Sequence, residues 1–181
     1  MFCYVALFPK YEASQVMAAV FSFLYAPVLL SFVYLTRECE TGIYLVWLIL
    51  ISSWGCDTCA YVVGKLIGKK HIFPELSPHK SLEGCIGGVV GAALIGGLYA
   101  HFFVETAFPD RTITWIIAFI CAAGAVMSMV GDLAASAIKR NHDIKDYGNL
   151  IPGHGGILDR FDSMIFTAPA IYFAIMFMGI R

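Results

Sequence analysis

Asp159 and Asp162 stand three residues apart in the run Ile157-Leu158-Asp159-Arg160-Phe161-Asp162. At that spacing a helix presents both carboxylates on one face, and paired carboxylate oxygens can hold a hard cation. Lys139, Arg140, Lys145 and Arg160 surround the pair in sequence and supply positive charge for phosphate oxygens. Carboxylates beside phosphate-binding bases suit Mg²⁺, which keeps several waters and binds through one or two carboxylates plus substrate phosphate. A second cation is a further expectation. Gly153-His154-Gly155-Gly156 would let backbone amides turn toward an anion, and His154 reads as a base, a ligand or a hydrogen-bond donor to phosphate.

Two more carboxylates, Asp57 and Asp132, fall inside apolar stretches. An ionised side chain at mid-bilayer costs at least ~2.5–3.5 kcal/mol, so each is a functional hypothesis. The plain alternative is that each snorkels to the interface or forms a private ion pair. Asp132 is followed by Ser136 at i+4 and by Lys139 and Arg140 at i+7 and i+8, a polar stripe pointing into the basic loop. Asp57 faces a second basic stretch that ends Ser77-Pro78-His79-Lys80-Ser81-Leu82-Glu83-Gly84. Here Ser81 is placed to cap a helix, with Gly84 three residues on. Cys56 and Cys59 form a C-x-x-C without a second pair at zinc spacing, in an apolar span, and read as core cysteines.

The elements that must position these groups follow from composition. The chain has 181 residues, 59% hydrophobic and only 14% charged, where soluble chains carry about 25% charged. This composition predicts an all-α, polytopic membrane protein, a single integral-membrane domain over residues 1–181. Twelve basic residues against thirteen acidic ones give nucleic acid no bulk electrostatic footing. A bilayer core takes about 20 apolar residues per helix, and five stretches qualify, roughly 14–35, 43–63, 84–104, 113–138 and 161–180. Residues 1–9 are apolar but too short to span.

Lys10, Lys65, Lys69, Lys70, Lys80, Lys139, Arg140, Lys145 and Arg160 fall on one side of that topology, and Arg37, Arg111 and Arg181 on the other. The bias places the loops at 64–83 and 139–160, and the site they share, in the cytoplasm. In the third span Gly84/Gly88 and Gly87/Gly91 make small-xxx-small pairs that let helix backbones approach closely. Packing within the chain is favoured for this face, with a homodimer as the other expectation.

Three runs then match a known pattern. They are Ser136-Ala137-Ile138-Lys139-Arg140, Ile144-Lys145-Asp146, and Leu150-Ile151-Pro152-Gly153-His154-Gly155-Gly156-Ile157-Leu158-Asp159-Arg160-Phe161-Asp162-Ser163. Together they resemble the C-terminal signature of phosphatidate cytidylyltransferases, the CDP-diacylglycerol synthases. Asp57 with Ala60-Tyr61 and Gly64, the Ser77-to-Gly84 block, and Gly131-Asp132-Leu133 are similar to further blocks in the expected order, so the resemblance covers about residues 45–165.

The resemblance implies transfer of a cytidylyl group from CTP to phosphatidate, with divalent metal at a cytoplasm-facing site inside the membrane. Carried over by position, Asp132 and Asp159 would be the leading metal ligands, joined by Asp162 and Asp57. Ser136, Lys139, Arg140, Lys145, His154 and Arg160 would hold phosphates, with Gly153, Gly155 and Gly156 beside them. Ser77, Lys80, Ser81 and Glu83 would complete the nucleotide or lipid pocket. Ala135 departs from the pattern, since many members carry Glu there. The family usually runs to well over two hundred residues with further N-terminal spans, so a non-catalytic truncated homologue is the alternative. An ion-coupled transporter would also place Asp57 and Asp132 in the membrane, but it predicts repeated halves with paired broken helices, and the sequence shows no repeat.

Overall fold

The computed structural model describes residues 2–180 apart from 73, 75, 79, 106–112 and 149–154. Five helices are long and apolar enough to cross a membrane, Ala13–Arg37, Gly42–Ile67, Leu82–Val104, Thr114–Asn141 and Leu158–Met178, hereafter the first to fifth spans. A short helix, Phe2–Ala6, precedes them. An isolated antiparallel bridge joins His71 to Ser81.

Helix ends depart from the apolar boundaries in a consistent direction. The second span continues past residue 63 to Ile67, the fourth past 138 to Asn141, and the fifth begins at Leu158, before 161. Lys65 lies in the last turn of the second span, and Lys139 and Arg140 in that of the fourth; Asp159 lies in the first turn of the fifth. Cations at helix C-termini and anions at N-termini complement the macrodipole, so charged residues extend these helices beyond the apolar run. The two basic loops are correspondingly shorter than the sequence predicts. Ser81 caps the third span as expected, its Oγ accepting from Gly84 N at 3.1 Å.

Packing uses the glycine face within the chain. A Cβ at Gly87 would lie 2.6 Å from Val63 Cβ, and one at Gly91 would lie 2.5 Å from Cys59 Sγ. Second and third spans therefore meet at backbone contact distance, and that seam is filled. Cys56 is buried with its Sγ 3.8 Å from Ala125 O, a packing role that suits the C-x-x-C. The aliphatic core, including Leu45, Leu48, Val104, Ile117, Ile120, Ile171 and Ile175, lies among the second to fifth spans. Thr36 of the first span, Ser53 of the second and Thr167 of the fifth are buried and satisfy their hydroxyls on carbonyls one turn back at 2.8, 2.8 and 2.9 Å.

The first span packs unevenly. Phe32 meets Tyr172 and Phe173 of the fifth span with ring centroids 5.3 Å apart in both pairs, whereas its N-terminal portion, Ala13–Phe23, buries no residue. Three spans carry a π-helical turn, at Leu24–Val28, Ile51–Gly55 and Ala100–Val104. The first contains Pro27, which has no N–H to give the helix, and the second ends just before Asp57.

Candidate active site

Asp57, Asp132, Asp159 and Asp162 reach one end of the bundle on three different spans. Asp57 sits in the first turn after the π-helical turn of the second span. Asp132 lies on the fourth, and Asp159 and Asp162 open the fifth. Gly131 permits the crossing there, since a Cβ at that position would be 3.0 Å from Asp162 O. The same end receives Lys80, from the loop before the third span, and Lys139, from the last turn of the fourth.

Two ion-paired clusters result. Lys80 Nζ lies 2.5 Å from Asp132 Oδ2, both side chains partly exposed. The ion pair raised as the plain alternative for Asp132 thus exists, with a lysine of the Ser77-to-Gly84 block as partner. Lys139 Nζ lies 2.9 Å from Asp159 Oδ1 and 3.7 Å from Asp162 Oδ2, and here the carboxylates are only 5% and 10% exposed. Asp132 joins the clusters, being within electrostatic reach of both Asp57 and Asp162. A cavity of about 50 Å³ lies between Asp57, Lys80, Ser81, Gly84 and Met129. That volume holds one or two water molecules, room for a phosphate oxygen but not for a nucleotide.

Asp159, expected as a leading metal ligand, has both oxygens engaged. Besides Lys139, it accepts hydrogen bonds from Tyr147 N at 2.8 Å and Gly156 N at 2.9 Å. A carboxylate this buried needs such donors. The backbone at the glycine run does turn toward an anion, but the anion that Gly156 meets is the protein's own. Gly155 makes the turn with φ +81°, a conformation that favours glycine. Tyr147 closes the loop onto the fourth span, its hydroxyl donating to Ala135 O at 3.3 Å. Burial pushes the Tyr147 phenol above its ordinary pKa, so it remains a donor.

Glu83 is also committed to backbone. Its Oε2 accepts from Lys69 N at 3.1 Å and Lys70 N at 3.2 Å, while Leu82 N donates to Lys70 O at 2.8 Å. Ser77 O accepts from Lys80 N at 3.2 Å. Ser77, Ser81 and Glu83 therefore shape the loop, and Lys80 carries its charge into the cluster. Ser136 is half-buried on the fourth span, whereas Arg140, Lys145 and Arg160 are exposed. The Arg160 carbonyl accepts from Trp54 Nε1 at 3.2 Å. Gly153 and His154 lie outside the described residues. Tyr147 escaped the sequence reading, although an aromatic residue within a cationic loop was the available signal.

Among the described residues no three His, Cys, Asp or Glu side chains stand close enough to share one ion. The donor chemistry nevertheless fits Mg²⁺, which takes one or two carboxylates and completes its shell with water and substrate phosphate. Asp132 and Asp162 suit that role better than Asp159, whose oxygens already hold three donors.

A model of the cytidylyltransferase family matches residues 1–178. The phosphatidate cytidylyltransferases of Bacillus subtilis (strain 168) and Haemophilus influenzae are each 40% identical over 134 residues, 74% of this chain and 48% and 46% of theirs. That of Synechocystis is 38% identical over 138 residues, 76% of this chain and 45% of its own. The chain spans about half the length of the curated relatives it matches.

Proposed function

This chain belongs to the cytidylyltransferase family, and on that premise we propose that it transfers a cytidylyl group from CTP to phosphatidate. The products are CDP-diacylglycerol and pyrophosphate. A phosphate oxygen of phosphatidate attacks the α-phosphorus of CTP, the α–β P–O bond breaks, and pyrophosphate leaves. A phosphate monoester is already nucleophilic, so no strong general base is needed. Positioning and charge neutralisation supply most of the acceleration.

The observation that carries this reading is the convergence of Lys80, Asp132, Lys139 and Asp162 where the loops meet the spans. Phosphatidate is anchored with its headgroup at the membrane surface while CTP arrives from water, so the reaction belongs at that boundary. The excess of Lys and Arg in both loops supports a cytoplasm-facing site. Asp132 and Asp162, with Asp57 beside them, would hold Mg²⁺. When bound, the ion would neutralise charge on the phosphate oxygens. Lys80 would offer its ammonium group to a phosphate that displaces Asp132, Lys139 would turn from Asp162 toward phosphate while keeping Asp159, and the exposed Arg140, Lys145 and Arg160 would gather the triphosphate. The Asp159 clamp would keep Lys139 and the loop bearing Tyr147 in place.

The test is direct. Detergent-solubilised protein given Mg²⁺, phosphatidate and CTP should form CDP-diacylglycerol and release pyrophosphate in equal amounts, and neither should appear after chelation. A folded preparation that yields neither product would overturn the proposal.

A further inference from the structure

Tyr25 belongs to no motif of the site, yet it is built into it. It lies in the π-helical turn of the first span, two residues before Pro27. Its ring stacks on Phe21 at 5.4 Å and meets Phe166 of the fifth span edge-on at 6.2 Å. The residue is 9% exposed. Its hydroxyl is buried with no hydrogen-bond partner among the described residues, and it lies within electrostatic reach of Tyr147, Asp162 and Asp132. Buried phenols normally find a partner. A rigid donor beside the site and lacking an acceptor points to an acceptor brought by a ligand.

The surroundings indicate which ligand. Tyr25 forms part of a groove of about 320 Å³ whose lining includes Phe21, Ser22, Ile138, Asn141, Tyr147 and Leu158. Its walls come from the first, fourth and fifth spans, and an apolar chain can lie between them. Asn141 and Tyr147 give its rim polar groups, and Lys139 Nζ stands over the Tyr147 ring at 5.3 Å. Apolar walls between membrane spans, leading to a neutral donor and a cation, match a membrane lipid whose headgroup is a phosphate monoester.

We propose that the Tyr25 hydroxyl donates a hydrogen bond to a phosphate oxygen of the lipid substrate, whose glycerol and upper acyl chain occupy the groove beside it. This rests on phosphatidate being that substrate. A phenol suits the position because it binds the oxygen without adding charge beside Asp132 and Asp162. Nucleotide phosphate offers the same acceptor, so the experiment must separate the two.

Tyr25→Phe keeps the ring and removes the donor. In the purified 181-residue chain, binding of phosphatidate should weaken about tenfold, the worth of one hydrogen bond to a charged group, while diacylglycerol and CTP bind as before. Unchanged phosphatidate affinity overturns the inference, as does equal weakening for diacylglycerol, which would mark a packing role. A loss confined to CTP assigns the donor to the nucleotide and overturns the lipid assignment. Wild-type protein provides a second measurement should the variant not fold. A phosphatidate with a photoreactive group at the top of its acyl chain should label the groove at Phe21, Tyr25 or Ile138, and labelling confined elsewhere overturns the inference. Tyr25-dependent binding by protein that forms no CDP-diacylglycerol would overturn the reaction and leave this inference standing.

Discussion

Lys80 Nζ and Asp132 Oδ2 stand 2.5 Å apart, joining the loop before the third span to the middle of the site. The pair is one of charge more than of directed hydrogen bonding, since Nζ lacks hydrogen-bond geometry to any described acceptor. Without substrate, the cation proposed for phosphate and the carboxylate proposed for metal neutralise each other. Bound substrate phosphate and a divalent ion would separate them, each partner taking a ligand of opposite charge.

Asp132→Asn should therefore lower CDP-diacylglycerol formation by at least about a hundredfold while protein abundance in membranes stays near normal. Removing a charge from a span does not hinder insertion, and the Asn side-chain oxygen would still face the buried Lys80 ammonium. Quantifying product per unit of folded protein checks it; retention of most activity would remove Asp132 from the site.

Asp159→Asn should behave differently, failing in stability before chemistry. It strips the nearer of the two carboxylates that pair with Lys139, a side chain only 12% exposed, and losing a hydrogen bond to a charged group costs about 1.5–3 kcal/mol. The loop tied down through Tyr147 N and Gly156 N should become protease-sensitive. Limited proteolysis and thermal melting read this out, and a melt equal to wild type would contradict the clamp.

Glu83→Ala should free the backbone at Lys69 and Lys70 and let the Lys80 loop wander. Activity should fall, with proteolysis increased between residues 68 and 81. Replacement by Gln, which keeps an acceptor oxygen, should recover most of both, whereas a direct role in binding would leave Gln as poor as Ala.

Gly87→Ala should force apart the second and third spans, because its Cβ would sit 2.6 Å from Val63 Cβ. Overpacking of this kind costs about 1–3 kcal/mol. Val63→Ala, introduced alongside, should restore melting and activity together; failure of the double variant would show that the seam is not the constraint.

Cysteines introduced at Lys69 and Lys145 should be shielded from an impermeant thiol reagent applied outside the cell and react once the membrane is opened. Labelling of both from outside would reverse the orientation drawn from the basic residues.

Much of this was legible in local pattern. Five apolar runs set five spans, because a chain in lipid must satisfy its backbone within each helix. Ser81 announced a helix start, the small-residue spacing of the third span announced a close crossing, and Asp57 and Asp132 were conspicuous through the cost of charge in an apolar run. Partner choice was decided elsewhere. Helical spacing told that Asp159 and Asp162 share a face, but not that Asp159 would turn to Gly156 and Tyr147 while Asp162 lies within electrostatic reach of Asp132. Nothing around Glu83 distinguished a ligand from a clasp on Lys69 and Lys70. Tyr25 is remote in sequence from every motif and reaches the site only because the first span packs on the fifth through Phe32, Tyr172 and Phe173. Periodicity is a property of one helix and can be read along the chain. Which atoms meet depends on the rotation and crossing of helices far apart in sequence, and only tertiary packing sets those.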